Sequence, residues 1–173
     1  MDNLKAIIEA IVFVSENPVS VEKLVEILED VGEKEIIRLL HDLKNEYDER
    51  HSGLCLAEVA GGYQFRTRDY LGPWIKKIKG IKPITLSRAA METLAVVAYK
   101  QPVMKSEIEK VRGVDVSGSL KGLLEKSLVR IVGRKDIPGR PIIYGTTKKF
   151  LEVFNLRDLS ELPTLRELKE LED

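Results

Sequence analysis

The chain has 173 residues, 43% of them hydrophobic and 32% charged, and its 28 basic and 28 acidic side chains cancel to zero net charge. That is enough apolar material for one medium domain or two small ones, and a folded, soluble protein is expected. Apolar runs such as 10–14 and 94–98 are too short to cross a bilayer, and Met1-Asp2 lacks the basic flank of a secretory signal, so the expected location is cytoplasmic with no membrane partner.

The neutral total hides a gradient. Residues 1–80 carry 11 basic and 15 acidic side chains, residues 81–154 carry 14 and 7, and residues 155–173 carry 3 and 6. The middle of the chain is therefore the basic part, which suits nucleic acid or an acidic protein partner and does not choose between them. The single cysteine, Cys55, sits between Leu54 and Leu56 and reads as a small strand residue rather than a poised nucleophile.

In chain order, Leu4, Ile7, Ile8, Ile11 and Val12 recur at helical spacing. So do Val21, Leu24, Val25 and Leu28, and then Ile36, Leu39, Leu40 and Leu43. Three amphipathic helices follow, the second capped by Ser20 after a break at Asn17-Pro18, the third running over 33–50. LCLAEV and YQFRT, joined through Ala60-Gly61-Gly62, then read as a hairpin whose paired glycines supply the positive φ of the turn. A helix over 70–79 carrying Trp74 and Ile78 is expected next, and Lys76–Pro83, polar with a glycine and a proline, reads as a domain boundary.

The same order recurs after a shift of 84 residues. Val12, Pro18, Val19, Leu24, Ile36, Leu39 and Leu40 land on Val96, Pro102, Val103, Ile108, Leu120, Leu123 and Leu124, the mark of an internal duplication. In the second copy the helices are expected over 86–99, 105–111 and 116–128. A hairpin follows, with Ile137-Pro138-Gly139-Arg140 as a type II turn between LVRIV and PIIYG. Three helices and a basic hairpin describe a winged helix. The expected fold is thus α+β, mainly helical, with two tandem winged-helix domains.

No catalytic constellation is visible. Gly113 to Ser119 has the glycine spacing of a P-loop, but Ser119 stands where the lysine is required and Leu120 where the hydroxyl is required. His41 and His51 lack a companion set at metal spacing, and no serine lies in a nucleophile elbow. Neither enzyme activity nor a cofactor is expected.

The stretch from Leu86 to Leu156, with AYKQPV, RGVDVSG and GRKDIPGRPIIYGTT, resembles the second domain of the bacterial segregation and condensation protein B (ScpB) family. IIEAIVFVSENPVS and GGYQFRT are similar to that family's first domain. The resemblance implies a non-enzymatic subunit of the condensin-like SMC complex, nucleoid-associated and active in chromosome condensation and segregation during cell division. It implies a homodimer formed through residues 1–80 that binds the kleisin ScpA, and through it the SMC ATPase, with residues 81–158. The acidic tail, 159–173, receives no role.

The third helix of the second copy is bare on its outer face. It offers no Arg, Asn or Gln to read base edges, and Gly118 and Gly122, one turn apart, each cost a helix about 1 kcal/mol relative to alanine. Either a partner approaches there, beside Lys121, or the glycines pack within the chain. Arg134, Lys135 and Arg140 at the wing stand for partner docking, for weak contact with DNA phosphates, or for a solvated loop. In the first copy the apolar stripe continues past Leu43 to Tyr47, which a sister chain or the chain itself would cover. The competing functional reading is a winged-helix DNA-binding transcriptional regulator.

Overall fold

The computed structural model of the chain describes residues 3–78, 85–164 and 167. The described residues up to Ile78, together with those from Asn155 onward, form one compact unit, and those from Thr85 to Phe154 form another. Each unit is helical with one small antiparallel sheet, so the chain is α+β. Among the described residues no helix is long and apolar enough to cross a membrane.

The first unit opens with α1 (Leu4–Val14), α2 (Val21–Leu28) and α3 (Glu33–Glu49). Most of the periodic residues face the core: Ile8, Val12, Leu24, Ile36, Leu39, Leu40 and Leu43 form one buried cluster with Leu56 of the following strand, and Leu4, Ile11, Val21, Val25 and Leu28 pack partly buried against it, while Ile7 is exposed. The Ser20 hydroxyl accepts from the Lys23 amide at 3.3 Å, the cap its position required. β1 (Leu54–Val59) and β2 (Gly62–Thr67) pair antiparallel, with Val59 opposite Gly62.

The turn between them lies one residue earlier than the paired glycines suggest. Ala60 (φ 52°) and Gly61 (φ 74°) are its two central residues, while Gly62 is already in β2. Gly62 is needed for a different reason, close approach. A Cβ there would stand 2.8 Å from the carbonyl carbon and oxygen of Val19, and Val19 pairs with Tyr63 through reciprocal backbone hydrogen bonds of 2.9 and 2.8 Å. A short stretch between α1 and α2 is thus stitched to the hairpin.

The second unit repeats the plan. α5 (Arg88–Lys100), β3 (Val103–Met104), α6 (Lys105–Arg112) and α7 (Ser117–Glu125) precede the hairpin β4 (Val129–Arg134) and β5 (Ile142–Thr146); α4 (Gly72–Ile75) closes the first unit's hairpin region, and α8 (Lys148–Phe154) follows β5. The 84-residue offset carries α2 onto α6 residue for residue and the start of α3 onto that of α7. It also carries Val19 onto Val103, which pairs with Tyr144 of β5. Val19, Leu24, Ile36 and Leu39 are buried in the first unit, as are Val103, Ile108, Leu120 and Leu123 in the second.

Two features depart from expectation. Instead of one helix over 70–79, a single 3-10 turn (Asp69–Leu71) leads into the one-turn α4, because Gly72-Pro73 interrupts the hydrogen-bond ladder. Trp74 and Ile78 remain exposed. The remainder of the expected boundary, Lys79 to Pro83, lies outside the described residues. The second departure is a return of the chain to the first unit, where the Ala60 and Gly61 amides donate to the Leu156 and Arg157 carbonyls at 2.9 and 3.0 Å. Arg66 adds a bond to the Asn155 side chain at 3.1 Å. Of the acidic tail, 165–166 and 168–173 lie outside the described residues.

Replacing Gly62 by alanine forces the Val19 backbone away from β2. Overpacking of this kind costs about 1–3 kcal/mol, so Gly62→Ala should lower the urea midpoint of the first unit's transition. An unchanged midpoint would show that the stitch is not tight.

Candidate partner-binding surfaces

The second unit's exposed features rest on a rigid root. Gln101, which ends α5, accepts from the Thr146 amide at 2.7 Å and donates to the Ala98 carbonyl at 3.1 Å, tying the base of β5 to α5. Gly145 beside it has no room for a side chain, since a Cβ would meet Val132 Cγ1 at 2.9 Å and Gln101 Oε1 at 3.0 Å. The motif AYKQPV therefore has a mechanical reason: Gln101 holds the hairpin and Val103 pairs with it. Lys105, at the start of α6, meets Glu109 and, just before α7, Asp115 at 3.2 and 3.1 Å. The Ser117 hydroxyl and then the Lys105 ammonium hold the exposed Asp115 carboxyl down to about 2, from an ordinary 3.8. Helices α6 and α7 are thereby joined across Gly113, whose φ of 70° ends α6 in the left-handed conformation.

On that frame α7 presents Gly118, Lys121 and Gly122. A Cβ at Gly118 or Gly122 would meet nothing within 4 Å. Among the described residues, then, no packing within the chain keeps these positions bare. The two glycines, with Ser119 and Lys126, form one wall of a shallow groove of about 260 Å³ whose other wall is Thr85, Leu86, Ser87 and Ala90 at the start of α5. Lys121 is largely exposed and lies 4.0 Å from Glu125.

The three cations of the hairpin tip are all exposed. The turn is closed by the Arg140 amide donating to the Ile137 carbonyl at 2.8 Å, with Gly139 at φ 83° as a type II turn requires. Arg134 donates to the Arg140 carbonyl at 3.2 Å, stiffening the tip. Among the described residues no ion pair engages Lys135 or Arg140. The α7 residues and the hairpin cations thus both belong to the second unit.

Leu43 and Tyr47 are placed differently. Leu43 is 1% exposed and Tyr47 8% within the chain itself. The Tyr47 ring lies 4.8 Å from Phe65 and carries the Arg50 guanidinium 3.7 Å from its centroid, while its hydroxyl donates to Glu9. Burial, then the Glu9 carboxylate, push the phenol pKa up. The stripe that continues past Leu43 is covered by the chain's own hairpin and first helix.

A family model described as "Segregation and condensation complex subunit ScpB" matches residues 6–165. The chain belongs to the ScpB family. It is 49% identical to the segregation and condensation protein B of Syntrophotalea carbinolica over 97% of this chain and 85% of that one. The crystal structure of ScpB from Mycobacterium tuberculosis, 34% identical, covers 88% of this chain and 95% of its own with a TM-score of 0.43. A second solved structure is a dimer of a ScpB N-terminal domain complexed with a ScpA peptide. It is 27% identical and covers 44% of this chain and 95% of its own, with a TM-score of 0.41. ScpB relatives are thus proteins of chromosome segregation and condensation.

Sequence reasoning had singled out the glycines and the tip cations, but not Gln101, Thr146 or the exposed apolar residues of β4. The QP pair before an extended Val was a usable signal for Gln101; the pairing of Thr146 with it was not readable. Since nothing packs on the α7 glycines, Gly118→Ala and Gly122→Ala should each stabilise the second unit, by about 0.5–1 kcal/mol. Thermal unfolding checks this, and a lowered Tm would reveal packing on these positions.

Proposed function

We propose that this chain is a non-enzymatic adaptor of the condensin-like SMC complex: a homodimer that binds the kleisin ScpA and through it the SMC ATPase, within the nucleoid. The observation that carries this reading is the match to the ScpB family over residues 6–165. Both units are read as winged-helix modules, three helices with a hairpin wing, the first serving dimerisation and the second the kleisin.

Two physical features support a protein partner over base pairs. α7, SGSLKGLLE, carries no Arg, Asn or Gln, the bidentate readers of guanine and adenine edges. Its open glycines let another backbone come close, at a cost in helix stability that chain-internal packing does not explain. Gly118, Lys121 and Gly122 are assigned to the kleisin contact, with Arg134, Lys135 and Arg140 as a second, electrostatic contact. Leu43 and Tyr47 hold the first unit's interior, so a dimer has to draw on exposed apolar side chains such as Phe13, Val14 and Trp74.

The DNA-binding regulator remains the competing reading because the wing cations Lys135 and Arg140 lack ion-pair partners among the described residues. Co-expression with ScpA separates the two. The adaptor should retain ScpA through a high-salt wash, and Gly122→Gln, which favours the helix but fills the open face, should weaken binding at least ~10-fold. Failure to retain ScpA, together with tight binding to a defined duplex, would replace the adaptor with the regulator.

A further inference from the structure

The sheet order β3-β5-β4 leaves one side of β4 without a neighbour. Among the described residues no backbone hydrogen bond reaches that side. A free edge is a template for another strand, and natural sheets guard it with bulges and cations. β4 has both guards, a bulge between Ile131 and Gly133 and exposed Arg130 and Arg134, with Lys135 next along the chain. It also exposes what a guarded edge has no use for: Ile131 is 52% and Val132 38% exposed.

Charge narrows the occupant. Residues 129–146 hold Arg130, Arg134, Lys135 and Arg140 against one acid, Asp136. Two copies of this edge would bring like charges together, whereas an acidic strand would be drawn in. The first unit shows that a hairpin here can be bonded from outside by main chain: the Leu156 and Arg157 carbonyls accept from Ala60 and Gly61 at its turn. Among the described residues nothing occupies the second hairpin in that way.

We propose that the outer edge of β4 takes an extended segment of the protein partner by strand addition. Apolar side chains of that segment cover Ile131 and Val132, and its carboxylates meet Arg134 and Lys135. Main-chain hydrogen bonds supply the attachment, and the apolar and acidic side chains of the segment give it selectivity. The proposal rests on the adaptor reading and names how that partner is held at the wing.

The test is hydrogen exchange of the full chain, alone and co-purified with ScpA, with affinity measured for the wild type and for Arg134→Glu/Lys135→Glu. Strand addition predicts at least ~10-fold slower exchange within 130–134 in the complex. It also predicts at least ~10-fold weaker ScpA binding by the double variant, with cooperative thermal unfolding retained because both side chains are exposed and only the Arg134 bond to the Arg140 carbonyl is lost. If ScpA binds while 130–134 exchange as in the free protein and the double variant binds normally, strand addition is overturned and the adaptor stands. If ScpA does not bind the wild type, both fall. A double variant that loses duplex DNA while keeping ScpA would assign the wing to nucleic acid and overturn the proposal.

Discussion

Each unit depends on one short backbone pairing. Between the first and second helices a valine, Val19 in one unit and Val103 in the other, pairs with the returning strand of the hairpin at Tyr63 or Tyr144, and in the second unit Met104 extends the pairing to Ile143. A two-stranded hairpin alone is marginal in water. The third, minimal strand, together with the burial of both valines, fixes the hairpin to the helices and so settles which residues are left outside. The close approach of Gly62 to Val19 and the Gln101–Thr146 bonds are local consequences of that pairing.

Once the hairpins are pinned, the two units use their third helices differently. In the first, α3 runs 17 residues and buries Leu43 and Tyr47 under its own hairpin. In the second, α7 stops after nine, and its outer face keeps two glycines with open space above them. The shorter helix has given up stability at two positions where, among the described residues, a side-chain carbon would meet nothing. The partner docking proposed above would account for that, and the face offers no Arg, Asn or Gln for reading base pairs.

Much of this was legible in the sequence because it depends on local rules. Helical periodicity found the six long helices, Ser20 announced its cap, and Pro-Gly at 138–139 announced its turn; the 84-residue repeat located Val103 through Val19. Other features depend on residues distant in sequence. Gly61-Gly62 gave the hairpin but not its register, because the role of Gly62 is set by Val19, more than forty positions away. The continuation of the α3 stripe to Tyr47 looked like surplus surface until Phe65 and Glu9 were placed against it. The return of Leu156 and Arg157 to the first hairpin is made mainly through their carbonyl groups, which no side-chain pattern reports. The exposure of Ile131 and Val132 follows from strand order, which periodicity does not encode.

The most direct test of a protein-facing second unit is the salt dependence of its binding, measured on the full chain with ScpA and with duplex DNA. An interface with an apolar core should change affinity for ScpA by less than ~10-fold between about 50 and about 500 mM salt, while phosphate contacts through a few cations should make duplex binding weak and steeply salt-dependent. Sequence-selective duplex binding that persists at the higher salt, with ScpA lost there, would contradict the account.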